Sequence, residues 1–364
     1  MKRRKITAVL IMSMIMNGAS SAGCSDTRTI EGTAENTRAP IIINTSATSA
    51  SETSSSETES GTTTESSVTD TSSEETTSTE ETTESSSEET SESETQTPTA
   101  SKDYLTELHA RRKAVLDKKT AYEQMGGTEV DTWCFKRMAD HVPSGTYEHF
   151  RIKDYHGAYL NDHVKEGDKV IYLTFDCGYA SKRSIPILDT LKKHGVKASF
   201  FVTKMYLEKC SDLAARMKEE GHMVCNHTVS HTDLTSKTLE EVVAEIFDVE
   251  EFFYEKTGYE MDRYFRMPEG TYSKQLMTIV NDAGYMSVFW SLAYNDYDTK
   301  NQPAPGFVLD HFTKFHHNGA VALMHNDSQS NVDELDAVLT LLENEGYRFG
   351  LLSELEEAPT TGAS

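Results

Sequence analysis

The chain reads as an α/β protein: a distorted (β/α) barrel of about seven parallel strands, preceded by a disordered Ser/Thr/Glu-rich stalk. Three observations predict this. From Lys169 onward, short apolar runs alternate with amphipathic segments of helical length. Near-continuous strands joined by helices imply a parallel sheet buried on both faces, and seven such units suit a barrel better than an open sheet. Five of the runs end in polar residues suited to metal binding or proton transfer, where parallel sheets of either kind gather their function. Ahead of them, residues 46–100 are almost only Ser, Thr, Glu, Asp and Ala.

Taken in order, the N-terminus has the features of an export segment. Lys2, Arg3, Arg4 and Lys5 precede an apolar run, Ile6 to Met16, too short to span a bilayer. Ser21-Ala22-Gly23-Cys24 resembles a bacterial lipoprotein signal, in which residues 1–23 are removed and Cys24 is lipidated. Ser21 departs from that pattern, which usually has Leu, so ordinary cleavage is the alternative.

Residues 24–100 form the linker. Between 46 and 100 there are fourteen Asp/Glu and no Lys or Arg, a net −14 that is more than half of the chain's net charge of −24. Such a segment cannot bury enough apolar area to offset its ordering entropy. As a coil it would span roughly 40 Å or more, a stalk between membrane and folded domain. A charged tail that recruits a partner is the other reading. The remainder is mildly acidic, which argues against nucleic acid, since phosphate binding needs clustered Lys and Arg. Five cysteines are too few for a disulfide framework. Cys134, Cys177, Cys210 and Cys225 read as buried free thiols, with a Cys210–Cys225 bridge conceivable.

Residues 101–165 are expected to be a helical and extended wrap. Leu105, Leu108, Val115, Leu116 and Tyr122 recur at roughly helical spacing between 103 and 125, and Gly126-Gly127 stops the pattern. Residues 166–357 carry the βα rhythm. The strand runs are VIYLTF (170–175), ASFFVT (198–203), HMVCNH (222–227), YFRM (264–267), YMSVFW (285–290), AVALMH (320–325) and YRFGLL (347–352). Helices are expected over 239–258 and 332–346, and Pro186 sits in a first helical turn, where its missing N–H costs nothing.

The strand ends hold Asp176-Cys177, His227 with His231, Arg266, Asp296 and His325. Two histidines four apart can aim both imidazoles at one ion. Two imidazoles and one anionic ligand would leave a position open for water, and zinc suits such a site. Asp176 could take a proton and His325 could deliver one to a leaving nitrogen, which amide hydrolysis requires. Arg266 would keep Asp176 ionised, and Asp296 would orient His325 and favour its protonated form. Each residue has a plain structural alternative, such as a helix cap or a structural ion pair. Their joint occurrence favours a site.

These residues resemble the NodB-type polysaccharide deacetylases, carbohydrate esterase family 4. Five motifs stand in that family's order: TFDCGY (174–179), NHTVSH (226–231), RMPEG (266–270), FWSLAYNDYD (289–298) and LMH (323–325). Their phrasing is most similar to the delta-lactam-biosynthetic branch, which acts on N-acetylmuramic acid. TWCF (132–135) and HGAYL (156–160) resemble that branch's N-terminal wrap.

The resemblance implies a de-N-acetylase of cell-wall polysaccharide, peptidoglycan above others; with the lipoprotein-like signal, it would be lipid-anchored to the outer face of the bacterial cytoplasmic membrane, facing the wall. Asp176 would be the base, Arg266 its support, His325 the acid and Asp296 the acid's tuner. His227 and His231 would hold a divalent metal, zinc above others. The backbone N–H of Glu269 would face the oxyanion, and Tyr297 and Leu323 would line the acetyl pocket. Two positions depart from the pattern. The family's third metal ligand is Asp, or Asn in this branch, where this chain has Cys177, which could be a thiolate ligand or a neutral bystander. Glu269 replaces a residue that is often basic or aromatic. The alternatives are deacetylation of N-acetylglucosamine polymers, an esterase acting on acetylated sugars, and a catalytically silent wall-binding lipoprotein.

Overall fold

The computed structural model describes residues 102–356; the export segment and the stalk, 1–100, lie outside the described residues. The expected first helix is two: α1 (Lys102–Asp117) and α2 (Lys119–Met125), interrupted at Lys118. Short strands follow: β1 (Asp131–Thr132), β2 (Phe135–Lys136), β3 (Gly145–Thr146) and β4 (Gly157–Ala158). The βα alternation then runs β5 (Val170–Cys177), α3 (Ser184–His194), β6 (Ser199–Val202), α4 (Lys204–Glu219), β7 (Met223–Asn226), α5 (Leu239–Thr257) and β8 (Asp262–Phe265). It continues through β9 (Thr271–Tyr272), α6 (Lys274–Asp282), β10 (Met286–Val288) and β11 (Leu292–Ala293). The last elements are α7 (Phe307–Phe315), β12 (Ala320–His325), α8 (Gln329–Asn344) and β13 (Arg348–Phe349).

Nine strands make the main sheet, in the order β11-β12-β5-β6-β7-β8-β10-β4, with β13 beside the start of β5. Every named pair in it is parallel. All seven apolar runs supply a strand. The two additions, β4 and β11, are two residues long, too short to show a period. β4 comes from the segment expected only to wrap the barrel. It pairs with β10, and the chain then crosses to the foot of β12, where Leu160 bridges Ala320 and Asn161 N–H donates to the Gly319 carbonyl at 2.8 Å. The wrap thus occupies the side of the barrel between β10 and β12.

β5 is buried at all eight positions, as a strand covered on both faces must be. Its alternation sorts the side chains. Ile171, Leu173, Phe175 and Cys177 pack with Ile187 and Leu191 of α3 and Leu335 and Leu339 of α8. Val170 and Tyr172 belong instead to the inner cluster with Phe201, Cys225 and Val321. Asp176 is in phase with that inner set. α5, the longest helix among the described residues, is started by a Thr238/Glu241 capping box and stopped by Gly258 at φ 72°.

The wrap is secured to α5 through one fully buried carboxylate. Glu250 accepts from Tyr104 Oη at 2.8 Å and Tyr285 Oη at 2.5 Å, and pairs with Arg111 and with Arg263 at 3.6 Å. Glu250→Ala would leave the largely covered guanidinium groups of Arg111 and Arg263 with the exposed Glu107 carboxylate as their remaining counterion. It is expected to cost about 3–5 kcal/mol in equilibrium unfolding, the range for breaking a buried pair. A loss below about 1 kcal/mol, the scale of a surface pair, would show that the contact does not secure the wrap.

Candidate active site

The site begins with strand register. β12 and β5 are neighbours, and His325 pairs directly with Asp176 across them. β7 runs into His227, and β8 runs into Arg266, whose N–H donates to the Asn226 carbonyl at 3.0 Å. Four of the predicted strand ends therefore meet at one rim. They open on a cleft of about 640 Å³ lined by Asp176, His227, His231, Glu269, Tyr297, Leu323 and His325 among others.

Arg266 is fully buried and lies over the Phe201 ring at 4.0 Å. Its Nη1 donates to Asp176 Oδ1 at 2.7 Å and to Thr174 Oγ1 at 2.9 Å, and its Nε donates to the Val288 carbonyl at 3.1 Å. Burial alone would raise the Asp176 carboxyl. Arg266, with the protonated His325, holds it below the usual carboxylate range instead. Asp176 is therefore ionised in the cleft.

The histidine pair sits on a strained loop. Thr228 and His231 both have left-handed backbones, at φ 72° and 52°. Local hydrogen bonds hold that shape: Asn226 Oδ1 accepts from Thr228 N–H at 3.0 Å, and Thr228 Oγ1 accepts from His231 N–H at 2.9 Å. The two rings meet edge to face with centroids 4.6 Å apart. His227 Nδ1 lies 2.9 Å from the Arg266 carbonyl, which can only accept, so Nδ1 carries the proton and Nε2 presents a lone pair. That Nε2 is buried without a hydrogen-bond partner, 3.4 Å from Asp176 Oδ2. Burial pushes both imidazoles down, His231 to about 3, so both are neutral. An orphaned buried imidazole nitrogen beside a second neutral imidazole fits a divalent cation.

Cys177 is not brought to that pair, and the expectation of a thiolate ligand is corrected. It is fully buried in the helix-facing core with Tyr206 and Cys210, its Sγ 3.8 Å from the Phe175 carbonyl. Burial pushes its thiol well up, leaving it protonated. The physical reason is the strand's period of two: Asp176 faces inward, so its neighbour faces the helices. Among the described residues, no set of three or more His, Cys, Asp or Glu side chains is arranged to hold an ion. Cys177, Cys210 and Cys225 are all free thiols, so there is no Cys210–Cys225 bridge.

Across the cleft, His325 Nδ1 lies 2.7 Å from Asp296 Oδ1, and its backbone N–H donates to Asp296 Oδ2 at 2.7 Å. Burial lowers the imidazole, but the fully buried Asp296 outweighs that and raises it to about 9. Two residues missed in the sequence complete this arrangement. Asn331, in the first turn of α8, donates to Asp296 Oδ2 at 2.6 Å and to the His325 carbonyl at 3.0 Å. Its Oδ1 accepts from Tyr294 Oη at 2.7 Å. Tyr294 lies inside FWSLAYNDYD and could have been singled out there. Asn331 lies in no motif and is 35 positions from Asp296.

The remaining predicted residues line the same cleft. Tyr297 sits with its ring centroid 5.9 Å from that of His325, and Leu323 is buried beneath. Glu269 is exposed at the rim, in a left-handed conformation at φ 57°. Gly270 follows at φ 67°, and a Cβ there would come within 2.9 Å of Trp290 and 3.0 Å of Trp133. Trp133 N–H donates to the Gly270 carbonyl at 2.8 Å, and its indole donates to the Trp290 carbonyl at 2.9 Å. The wrap therefore supports the turn that presents Glu269.

A carboxylate and an imidazole on neighbouring strands, one held ionised and the other protonated beside two neutral histidines, form a pair able to take and give a proton in one cleft of a parallel barrel. The chain belongs to the polysaccharide deacetylase family, whose sequence pattern matches residues 163–288. It is 38% identical over 225 residues to the peptidoglycan-N-acetylmuramic acid deacetylase PdaA of Bacillus subtilis, covering 61% of this chain and 84% of that protein. It is 34% identical over 188 residues to the peptidoglycan-N-acetylglucosamine deacetylase PgdA of Listeria monocytogenes, covering 52% of this chain and 39% of that protein. The solved structure of Bacillus subtilis PdaA, a family 4 carbohydrate esterase, superposes with a TM-score of 0.60 at 36% identity, covering 63% of this chain and 98% of that one. The family match ends before Asp296 and His325, so their place in the site rests on geometry.

Proposed function

We propose that the protein hydrolyses N-acetyl groups from a cell-wall polysaccharide, releasing acetate, with peptidoglycan N-acetylmuramic acid as the favoured sugar. The observation that carries this reading is the register pairing of Asp176 with His325 beside His227 and His231. The likeness to PdaA supports the choice of sugar.

In this mechanism Asp176 takes a proton from the water that attacks the acetamide carbonyl, and Arg266 keeps the carboxylate aimed and charged. The backbone N–H of Glu269 faces the oxygen that gains charge. Tyr297 and Leu323 enclose the methyl group. His325, protonated through Asp296, gives its proton to the nitrogen as the C–N bond breaks, because an amide anion is a very poor leaving group. Water and acetamide become acetate and a free amine. His227 and His231 would hold the divalent cation, zinc being the best match to paired imidazoles; such an ion polarises water and carbonyl groups. Export, lipidation at Cys24 and a stalk at 24–100 would hold the domain at the outer face of the cytoplasmic membrane, within reach of the wall.

Mass spectrometry of glycan fragments before and after treatment tests the reaction, since it shows which sugar loses an acetyl group. No acetyl loss from any acetylated wall glycan rejects the reading. Chelation is expected to abolish acetate release and zinc or cobalt to restore it. His227→Ala is expected to lower the rate by about a hundredfold or more, while Cys177→Ser stays within a few-fold. Equal losses in the two variants would return the thiol to the ligand set.

A further inference from the structure

We infer that Lys300 recognises a substrate carboxylate and gives this cleft its preference for muramyl over glucosaminyl residues; this rests on the deacetylase reading above. Lys300 lines the cleft that holds His325 and Tyr297. It is the only Lys or Arg among the residues lining that cleft, and it makes no ion pair among the described residues. Four carboxylates share the lining: Asp176, Glu269, Asp298 and Asp327. Away from the reacting centre, where the protonated His325 and the histidine pair stand, an anionic group entering the cleft meets carboxylates everywhere except beside this ammonium, which favours its resting there.

The backbone of Lys300 is held in relation to the catalytic acid. Its N–H donates to Asp298 Oδ1 at 3.0 Å. Gln302 Nε2 donates to the carbonyls of Asp296 and Asp298 at 2.8 and 2.9 Å, and Gln302 Oε1 accepts from Ser328 Oγ at 2.8 Å. The loop from Asp296 to Gln302 is thus secured to the start of α8, and the backbone of Lys300 has a defined position on the lining of the cleft.

An unpaired ammonium at that station does nothing for a glycan built only of N-acetylglucosamine, which is neutral. A muramyl residue differs by a lactyl ether on C3, next to the carbon that bears the acetamide. The ether springs from the ring carbon next to the one that bears the group to be cleaved, so its free carboxylate stays within a few bonds of that group and has the sign that Lys300 complements. A charge-assisted hydrogen bond between them would orient the residue whose acetyl group enters the pocket.

The test compares kcat/KM of the full-length protein on three probes: peptide-free wall glycan strands, the same strands with the lactyl carboxyl amidated by stem peptide, and N-acetylglucosamine oligomers. For Lys300→Ala the muramyl-to-glucosaminyl ratio is expected to shift about tenfold toward the neutral glycan, mainly through KM. Lys300→Glu should shift it further and Lys300→Arg should restore most of it. Added salt should weaken the preference of the wild type and not that of Lys300→Ala. An unchanged ratio in both Lys300→Ala and Lys300→Glu overturns the proposal, as does an undiminished wild-type preference for the amidated strands. Wild-type protein inactive on all three probes would overturn the deacetylase reading and this one together; active wild type with an unmoved ratio overturns this one alone.

Discussion

Asp176→Asn is expected to lower kcat/KM for acetate release by about 10³-fold, within the range spanned by general-base catalysis. The exchange keeps the shape of the side chain and removes only its charge and proton affinity. Arg266 would lose its counterion yet keep three other acceptors: Thr174 Oγ1, the Val288 carbonyl at 3.1 Å and the Phe289 carbonyl at 3.5 Å. A destabilisation of up to about 3 kcal/mol should accompany the change, because a buried guanidinium is left unpaired. Thermal unfolding measured beside the kinetics separates the two effects. A variant that is folded and retains a tenth of the wild-type rate would remove Asp176 from the base's role.

The second large effect concerns pH. A general acid works only in its protonated form, and Asp296 raises His325 to about 9 against an ordinary value of 6.5. Activity that depends on this proton is therefore present at neutral pH and lost as pH rises through about 9. In Asp296→Asn the largest charge that raises the imidazole is gone, while the burial that lowers it remains against the weaker pull of Asp176 and Asp327. The alkaline limb should fall by about two pH units or more, to 6.5 or below. At pH 7.5 less than about a tenth of the imidazole would then carry the proton, and amide hydrolysis should drop by at least that factor. An ester of the same sugar should lose less, since its leaving oxygen needs less help. An alkaline limb that stays near 9 in Asp296→Asn would show that another group supplies the proton.

Both effects involve residues that the sequence already places at strand ends. Continuous apolar runs such as VIYLTF can be satisfied only by a strand covered on both faces, and a polar residue closing such a run must lie at an open end of the sheet. That is why Asp176, His227, Arg266 and His325 could be read from one chain. Two-residue strands outside any apolar run cannot be read so. Gly157–Ala158 and Leu292–Ala293 have no period to display, and they are strands because β10 and β12 lie alongside them. The break at Lys118 between α1 and α2 is likewise invisible in a helical pattern that continues across it.

The sequence by itself determined the alternation of strands and helices, the rim at which polar residues collect, and Asp176 and His325 as the candidates for proton transfer, because hydrophobic periodicity and strand-end position are local properties. Tertiary packing decided which member of Asp176-Cys177 faces the cleft, since adjacent residues of a strand point to opposite sides and only the surrounding core says which side is inner. It also decided that Asn331 and Tyr294 steady Asp296, and that Glu250 holds the wrap. Those contacts join residues far apart in the chain, and no local pattern records a distance that only the folded backbone creates.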